Sequence, residues 1–208
     1  MAMESFYEES AINLNEKKQK SLFNIFHSLQ VVFTSLAIIW VILFGGFLPF
    51  PDSSKGETFA TVLPDWIFFA FMLISFIGGA VLLSHFKKRF NISYDYACVY
   101  GELRISKVIN QRKRKLVARI DPASVIQVGD VESASFDRLF KHPGLKQVVC
   151  TPNDQPANGK FFMYLYVQQE GTKKVFLLEC REALLLNLMQ YLRRDILDRE
   201  YVPQDKKM

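Results

Sequence analysis

Apolar residues fall into two patterns along this chain. The first half holds two long runs without charge; the second half holds short runs that alternate with polar residues. No Asp, Glu, Lys or Arg occurs from Ser21 to Phe50, nor from Trp66 to Ser84. The core of the first run, Leu29 to Leu48, has 20 residues, and the second run has 19. At ~1.5 Å rise per residue, each makes a helix of roughly 30 Å, the thickness of a bilayer's hydrocarbon core. The pattern therefore predicts membrane helices at about 29–48 and 66–84, forming a two-helix hairpin over residues 21–90. Buried helices of a soluble core are the competing reading. The rest of the chain is too short to cover two such Phe-rich helices. A cleavable signal peptide is a poor fit, because the first run is too long and "FGGFLPFPDSS" offers no small-x-small site.

Beyond Asn91 the period shortens to two. Alternating, β-branched or aromatic runs occur at 92–100, 103–109, 115–120, 124–131, 146–151, 160–167 and 173–179, separated by turn-forming residues. "SASFDRLFKH" breaks the series with Phe136, Leu139 and Phe140 at helical spacing after a Ser cap. From about Arg181 to Arg199, Leu184, Leu185, Leu188, Met189, Leu192 and Ile196 fall on one face of a helix. The expectation is an α+β domain over 91–201: a curled antiparallel seven-strand sheet closed by a C-terminal amphipathic helix. Residues 1–20 are read as a separate N-terminal segment and 202–208 as a flexible tail. Strand assignment around 142–160 stays open, because Pro, Asn and Gly punctuate it densely.

Charge orients the hairpin. Lys17, Lys18 and Lys20 precede the first helix; Lys87, Lys88 and Arg89 follow the second; the connecting loop carries only Lys55. Positive flanks stay cytoplasmic, so the expected location is the cell membrane, multi-pass, with both termini cytoplasmic. Residues 87–208 carry 22 Lys/Arg against 14 Asp/Glu, a net +8, whereas the whole chain is +5. The excess positive charge thus lies on the part expected to face the inner leaflet. Cys98, Cys150 and Cys180 form no C-x-x-C and read as reduced thiols.

Inside the two runs no ionisable Asp, Glu, Lys or Arg suggests an ion path. Thr34 and Ser35 on the first helix and Gly78 and Gly79 on the second lie at matching depth. Ser75 with Gly79 makes a small-x-x-x-small pair. These residues are expected to pack the hairpin, with a dimer contact as the alternative. No catalytic residue, metal set or cofactor motif is found: His-x-x-x-His, phosphate-loop and G-x-S-x-G patterns are all missing.

The densest basic cluster is Lys107, Arg112, Lys113, Arg114 and Lys115, between two short strands. It can be a solvated hairpin tip, a contact for anionic lipid headgroups, or a contact for an unknown protein partner. Nucleic acid is a poor candidate, since no recognition helix or stacking sheet accompanies the charge.

"GELRI" at 101–105, the basic "RKRK" turn, the Pro-led "IDPASVIQV" at 120–128 and "SFDRLF" at 135–140 together carry a resemblance. The chain resembles bacterial pleckstrin-homology-like (PH-like) domain membrane proteins, in which a two-helix transmembrane hairpin precedes a cytoplasmic PH-like domain. The resemblance implies the curled sheet with its C-terminal helix, and brings no catalytic residues. Phosphoinositide-binding relatives place one basic residue on a strand and others in or after the next turn. Lys107 with Arg112 and Arg114 has that form. The expected function is a non-enzymatic membrane-anchored adaptor or scaffold, in contact with the lipid bilayer and with anionic lipid or a protein partner. An accessory subunit of a transport or envelope-assembly complex is the alternative, and an enzyme with an unrecognised site is third.

Overall fold

The computed structural model describes residues 6–51, 58–141, 144–169 and 171–203. The chain divides into two compact units: a β-rich domain made of residues 1–16 and 91–208, and a helical hairpin over 17–90. The expected loop residues Asp52, Lys55 and Glu57, His142, and most of the tail lie outside the described residues.

Eight strands appear among the described residues of the domain, one more than the alternation pattern gives. They are β1 (Phe6–Ala11), β2 (Ile92–Val99), β3 (Glu102–Ile109), β4 (Lys113–Ile120), β5 (Val125–Asp130), β6 (Lys146–Val149), β7 (Phe161–Gln169) and β8 (Thr172–Cys180). They form two four-stranded sheets, ordered β1-β2-β3-β4 and β5-β7-β8-β6. The first is wholly antiparallel; in the second, β6 runs parallel to β8. The expected single antiparallel sheet is corrected on both counts.

The eighth strand comes from the segment read as separate. β1 pairs with β2 from Phe6↔Val99 to Ala11↔Tyr94, so the hairpin is an insertion between two neighbouring strands. Its sequence hides it because the inward positions are Tyr7, Glu9 and Ala11. A buried Glu breaks the apolar alternation. Remote partners make that Glu tolerable: Lys160 Nζ lies 3.2 Å from the Glu9 carboxylate, and the Arg181 backbone N–H donates to both of its oxygens at 3.1 Å. Lys160 also donates to the Ser10 carbonyl. Just beyond β1, the Asn153 side chain donates to the Ile12 carbonyl and accepts from the Leu14 N–H at 2.9 Å each. Asn153 is held in turn by the fully buried Glu179, which also accepts from Thr151 Oγ1 and the Ala157 N–H. Buried donors and acceptors left unpaired cost about 1–3 kcal/mol each, so this mesh fixes the segment firmly.

The core lies between the sheets. Tyr96, Leu103, Ile105 and Ile120 meet Val128, Met163, Leu165 and Leu178. Helix α4 (Glu182–Met189) adds Leu184, Leu185 and Leu188. The helix expected to run to Arg199 ends ten residues earlier, because Asp198 anchors the chain elsewhere. The Asp198 N–H donates to the Val128 carbonyl at 2.7 Å, and its carboxylate accepts from Ser133 and Tyr164 at 2.8 and 2.9 Å. Gly129 makes this approach fit: a Cβ there would stand 2.6 Å from that of Asp198. The short helix α3 (Ala134–Phe140) begins as expected, with Ser133 Oγ accepting from the Phe136 N–H.

In the helical unit, α1 (Glu16–Phe44) begins well before the expected span and stops short of Leu48, where a 3-10 turn at Gly45–Phe47 follows, while α2 (Phe59–Lys87) extends the expected span at both ends. Both are long and apolar enough to cross a membrane, and neither hydrophobic window is buried by the protein itself. Among the buried and half-buried positions, one series recurs at alternating spacings of three and four: Phe26, Gln30, Phe33, Ala37 and Trp40 on α1, and Val62, Trp66, Phe69, Leu73, Phe76, Ala80 and Leu83 on α2. This is the seam of a helix pair packed side by side. Trp40 Nε1 donates to the Phe69 carbonyl, and Trp66 Nε1 to that of Pro49.

Of the residues expected to pack the hairpin, Gly79 alone sits against the partner helix. A Cβ on Gly79 would meet the Phe33 ring at 2.6 Å, whereas one on Gly78 meets nothing within 4 Å. Thr34, Ser35 and Ser75 are exposed, and the Thr34 hydroxyl donates to its own helix at the Gln30 carbonyl. Depth matched them, but the rotation of the seam did not: Phe33 and Ala37 take the facing positions.

Candidate functional site

The basic cluster sits on the β3–β4 hairpin. Asn110 and Gln111 both have positive φ, 51° and 57°, the backbone of a type I′ turn, closed by the Arg112 N–H donating to the Ile109 carbonyl. Asn110 suits this conformation, and its side chain is fixed by the Asn91 amide at 2.7 Å. Gln111 reaches to the Glu16 carboxylate, also at 2.7 Å.

Strand alternation then separates the five cations. Lys107 pairs in register with Lys115, and Ile109 with Lys113, on the sheet face that carries Leu103 and Ile105. Arg114 pairs with Val108 on the opposite face. Its guanidinium lies 3.3 Å from Asp95, which also accepts from Ser10. Arg119, farther along that face, is bonded to Glu102 at 2.8 Å. Hydrogen bonds from Arg104, with help from both arginine charges, hold the Glu102 carboxyl below its ordinary range. The Lys107 ammonium stands 6.0 Å from the Tyr94 ring centre. Arg112, Lys113 and Lys115 are exposed and make no ion pair among the described residues. The structure thus brings Lys107, Lys113 and Lys115 to one face, puts Arg114 on the other, and occupies Arg114 with Asp95. A compact phosphate grip by all five is not what this hairpin presents.

Three features were not legible in the sequence. Asp95 ties Arg114 down, which needs the register to be known. A cavity of about 180 Å³ opens beside it, lined by Ser10, Asn13, Glu16, Asn91, Asp95 and Arg114. Finally, β4 is the terminal strand of its sheet, and Leu116 and Val117 are 58 % and 38 % exposed on it. A β-bulge leaves Val117 without a partner on β3.

The family model described as "Bacterial PH-like domain (DUF6106)" matches residues 57–198. The chain belongs to this family. Its match to the PH-like model takes in the second apolar helix and β2 to α4, and leaves β1 and α1 outside. No curated protein and no solved structure matches the chain. The PH-like domain carries its three cysteines inside: Cys98, Cys150 and Cys180 are buried. Burial pushes all three thiols up, Cys150 to about 12 and Cys180 well above the usual thiol range. Thiolate chemistry is correspondingly suppressed.

Proposed function

We propose that this PH-like protein is a non-enzymatic membrane-anchored adaptor, whose domain works at the cytoplasmic face of the cell membrane and meets anionic lipid or a protein partner through the β3–β4 hairpin. The pairing of β1 with β2 carries the reading. One strand precedes the first apolar helix and the other follows the second, and a sheet built from both flanks needs both flanks on one side of a bilayer. Lys17, Lys18 and Lys20 on one flank, with Lys87, Lys88 and Arg89 on the other, favour the cytoplasmic side. Arg112, Lys113 and Lys115 are the cations left for an anionic surface, at about 1 kcal/mol per residue near a charged leaflet. A tethered domain needs no more, because the anchor already supplies a high local concentration. The non-enzymatic part of the reading rests on the missing catalytic and metal-binding motifs of the sequence.

A reporter active only in the cytoplasm, fused after Met208, is expected to give signal; signal from an export-dependent reporter instead would overturn the reading. Lipid contact is read with a fluorophore on Gln111→Cys in nanodiscs containing headgroup-spin-labelled lipid. Quenching is expected to be stronger in anionic than in neutral discs and to fall as salt rises. Equal quenching in both leaves the protein partner as the hairpin's role.

A further inference from the structure

We propose that β4 is a docking edge, which takes an acidic, extended segment of another protein as an added strand on the β1-β2-β3-β4 sheet. The proposal deepens the adaptor reading and takes its biological setting from it. Four observations converge. β4 ends its sheet, so one row of its backbone groups faces no strand among the described residues; near one end, Gln169 Nε2 donates to the Arg119 carbonyl. From Ser106 to Ile120 the chain has no Asp or Glu but carries Lys107, Arg112, Lys113, Arg114, Lys115 and Arg119. Leu116 and Val117 stand exposed between the cations. And alternation distributes those cations over both faces of the sheet edge.

That distribution decides the occupant. A single phosphate needs donors that converge on one point. An added β-strand also alternates, so its side chains reach both faces in turn; carboxylates there can meet Lys113 and Lys115 on one side and, on the other, the outer edge of the Arg114 guanidinium, which stays 69 % exposed while it holds Asp95. Apolar residues of the incoming strand would cover Leu116 and Val117. A second copy of β4 is disfavoured, because it would set Lys and Arg against Lys and Arg. Edge strands often carry Lys to prevent pairing, but such protection is not helped by exposed Leu and Val at the centre of the strand.

The test uses the full chain in nanodiscs of phosphatidylcholine, which remove anionic lipid as a competitor. A displayed library of random linear peptides is selected on it. The expected winners alternate Asp or Glu with Val, Ile or Leu. One winner is then synthesised plain and with alternate backbone nitrogens methylated. Methylation keeps the charge and removes strand donors, and is expected to weaken binding at least tenfold. Lys113→Gln with Lys115→Gln should weaken the plain peptide by a similar factor, and Leu116→Ser with Val117→Ser several-fold, with circular dichroism of each variant unchanged. The proposal is overturned by failure to enrich acidic peptides, by equal binding of the methylated form (simple charge attraction), or by variants that bind like the parent. Anionic vesicles that bind through Lys113 and Lys115 while no peptide enriches would assign the edge to the lipid surface. None of these outcomes depends on membrane topology, so they stand apart from the reporter test of the adaptor reading.

Discussion

The β-domain and the helical hairpin of one chain follow opposite rules. In the domain, large apolar side chains are inside and the buried polar groups find partners far away in sequence, as Glu9 does with Lys160 and Asp198 with Ser133. In the hairpin, the outward apolar side chains stay uncovered: Ile42, Phe71 and Ile74 are each about two-thirds exposed or more. Its polar groups are few and exposed or at the helix ends, as with Thr34, which bonds to its own helix, and Lys87, which bonds across to His27 and Gln30 on the other helix. Leaving a large apolar side chain in water forgoes about 1.5–3 kcal/mol, so the hairpin's surface suits an apolar medium such as a bilayer. The domain needs distant chemistry to agree; the hairpin needs a different medium and a narrow seam.

The largest effect should come from cutting the domain where the sequence suggests it begins. A fragment of residues 91–208 lacks β1, which leaves Lys160 and the edge of β2 without their partners and takes Ile12 and Leu14 away from Asn153. It is expected to lose at least 3–5 kcal/mol, the usual cost of orphaning a buried charge, and to be largely unfolded by circular dichroism. Joining residues 1–15 through a flexible Gly/Ser linker to 91–208 should restore cooperative unfolding. A stable 91–208 fragment would break the contrast between the two regions.

Next in size is Glu179→Ala, which strips acceptors from Thr151, Asn153 and Ala157 at a fully buried site. A loss of about 3 kcal/mol is expected in urea denaturation of the linked domain. The hairpin's counterpart is Gly79→Leu, which drives into the Phe33 ring and should cost about 1–3 kcal/mol of helix-pair stability in a detergent titration. Gly78→Leu, with open space around it, should cost little. Equal effects at 78 and 79 would mean that the seam is rotated.

A pH scan sharpens the role of remote pairing. Burial raises the Asp198 carboxyl, but hydrogen bonds from the Glu200 N–H, Ser133 and Tyr164 outweigh it, so the group lies below its ordinary range. A depressed folded pKa gives stability that is fully present above the unfolded value of about 3.9 and is lost as pH falls through the folded one. The stability gap between wild type and Asp198→Asn should therefore be largest near neutrality and close in that acid window. The smallest expected signal is a thiol count: native domain should react slowly with a thiol reagent at pH 8, and all three cysteines should react once it is unfolded. Fast reaction at Cys150, whose pKa burial raises to about 12, would place that loop outside the core.

Where structure is local, the residues declared it. Ser133 capping a short helix, strands β2 to β5 and the apolar length of both helices follow from spacing alone, because each depends on neighbours within a few positions. The site was legible only as composition. The cluster from Lys107 to Lys115 is visible as charge, but whether its members converge depends on strand register and on Asp95, which occupies Arg114. Three further decisions belong to the tertiary structure. β1 becomes a strand because Lys160 and Arg181, more than 140 residues away, neutralise the buried Glu9 that spoils its alternation. The last helix stops because Asp198 gains more from Ser133, Tyr164 and the Val128 carbonyl than from another helical turn. The hairpin seam runs through Phe33 and Gly79, since interhelical rotation is set by side-chain packing that depth along the helix does not encode. Periodicity records what each residue does with its near neighbours; it carries no record of which distant group will satisfy a buried charge or fill a gap.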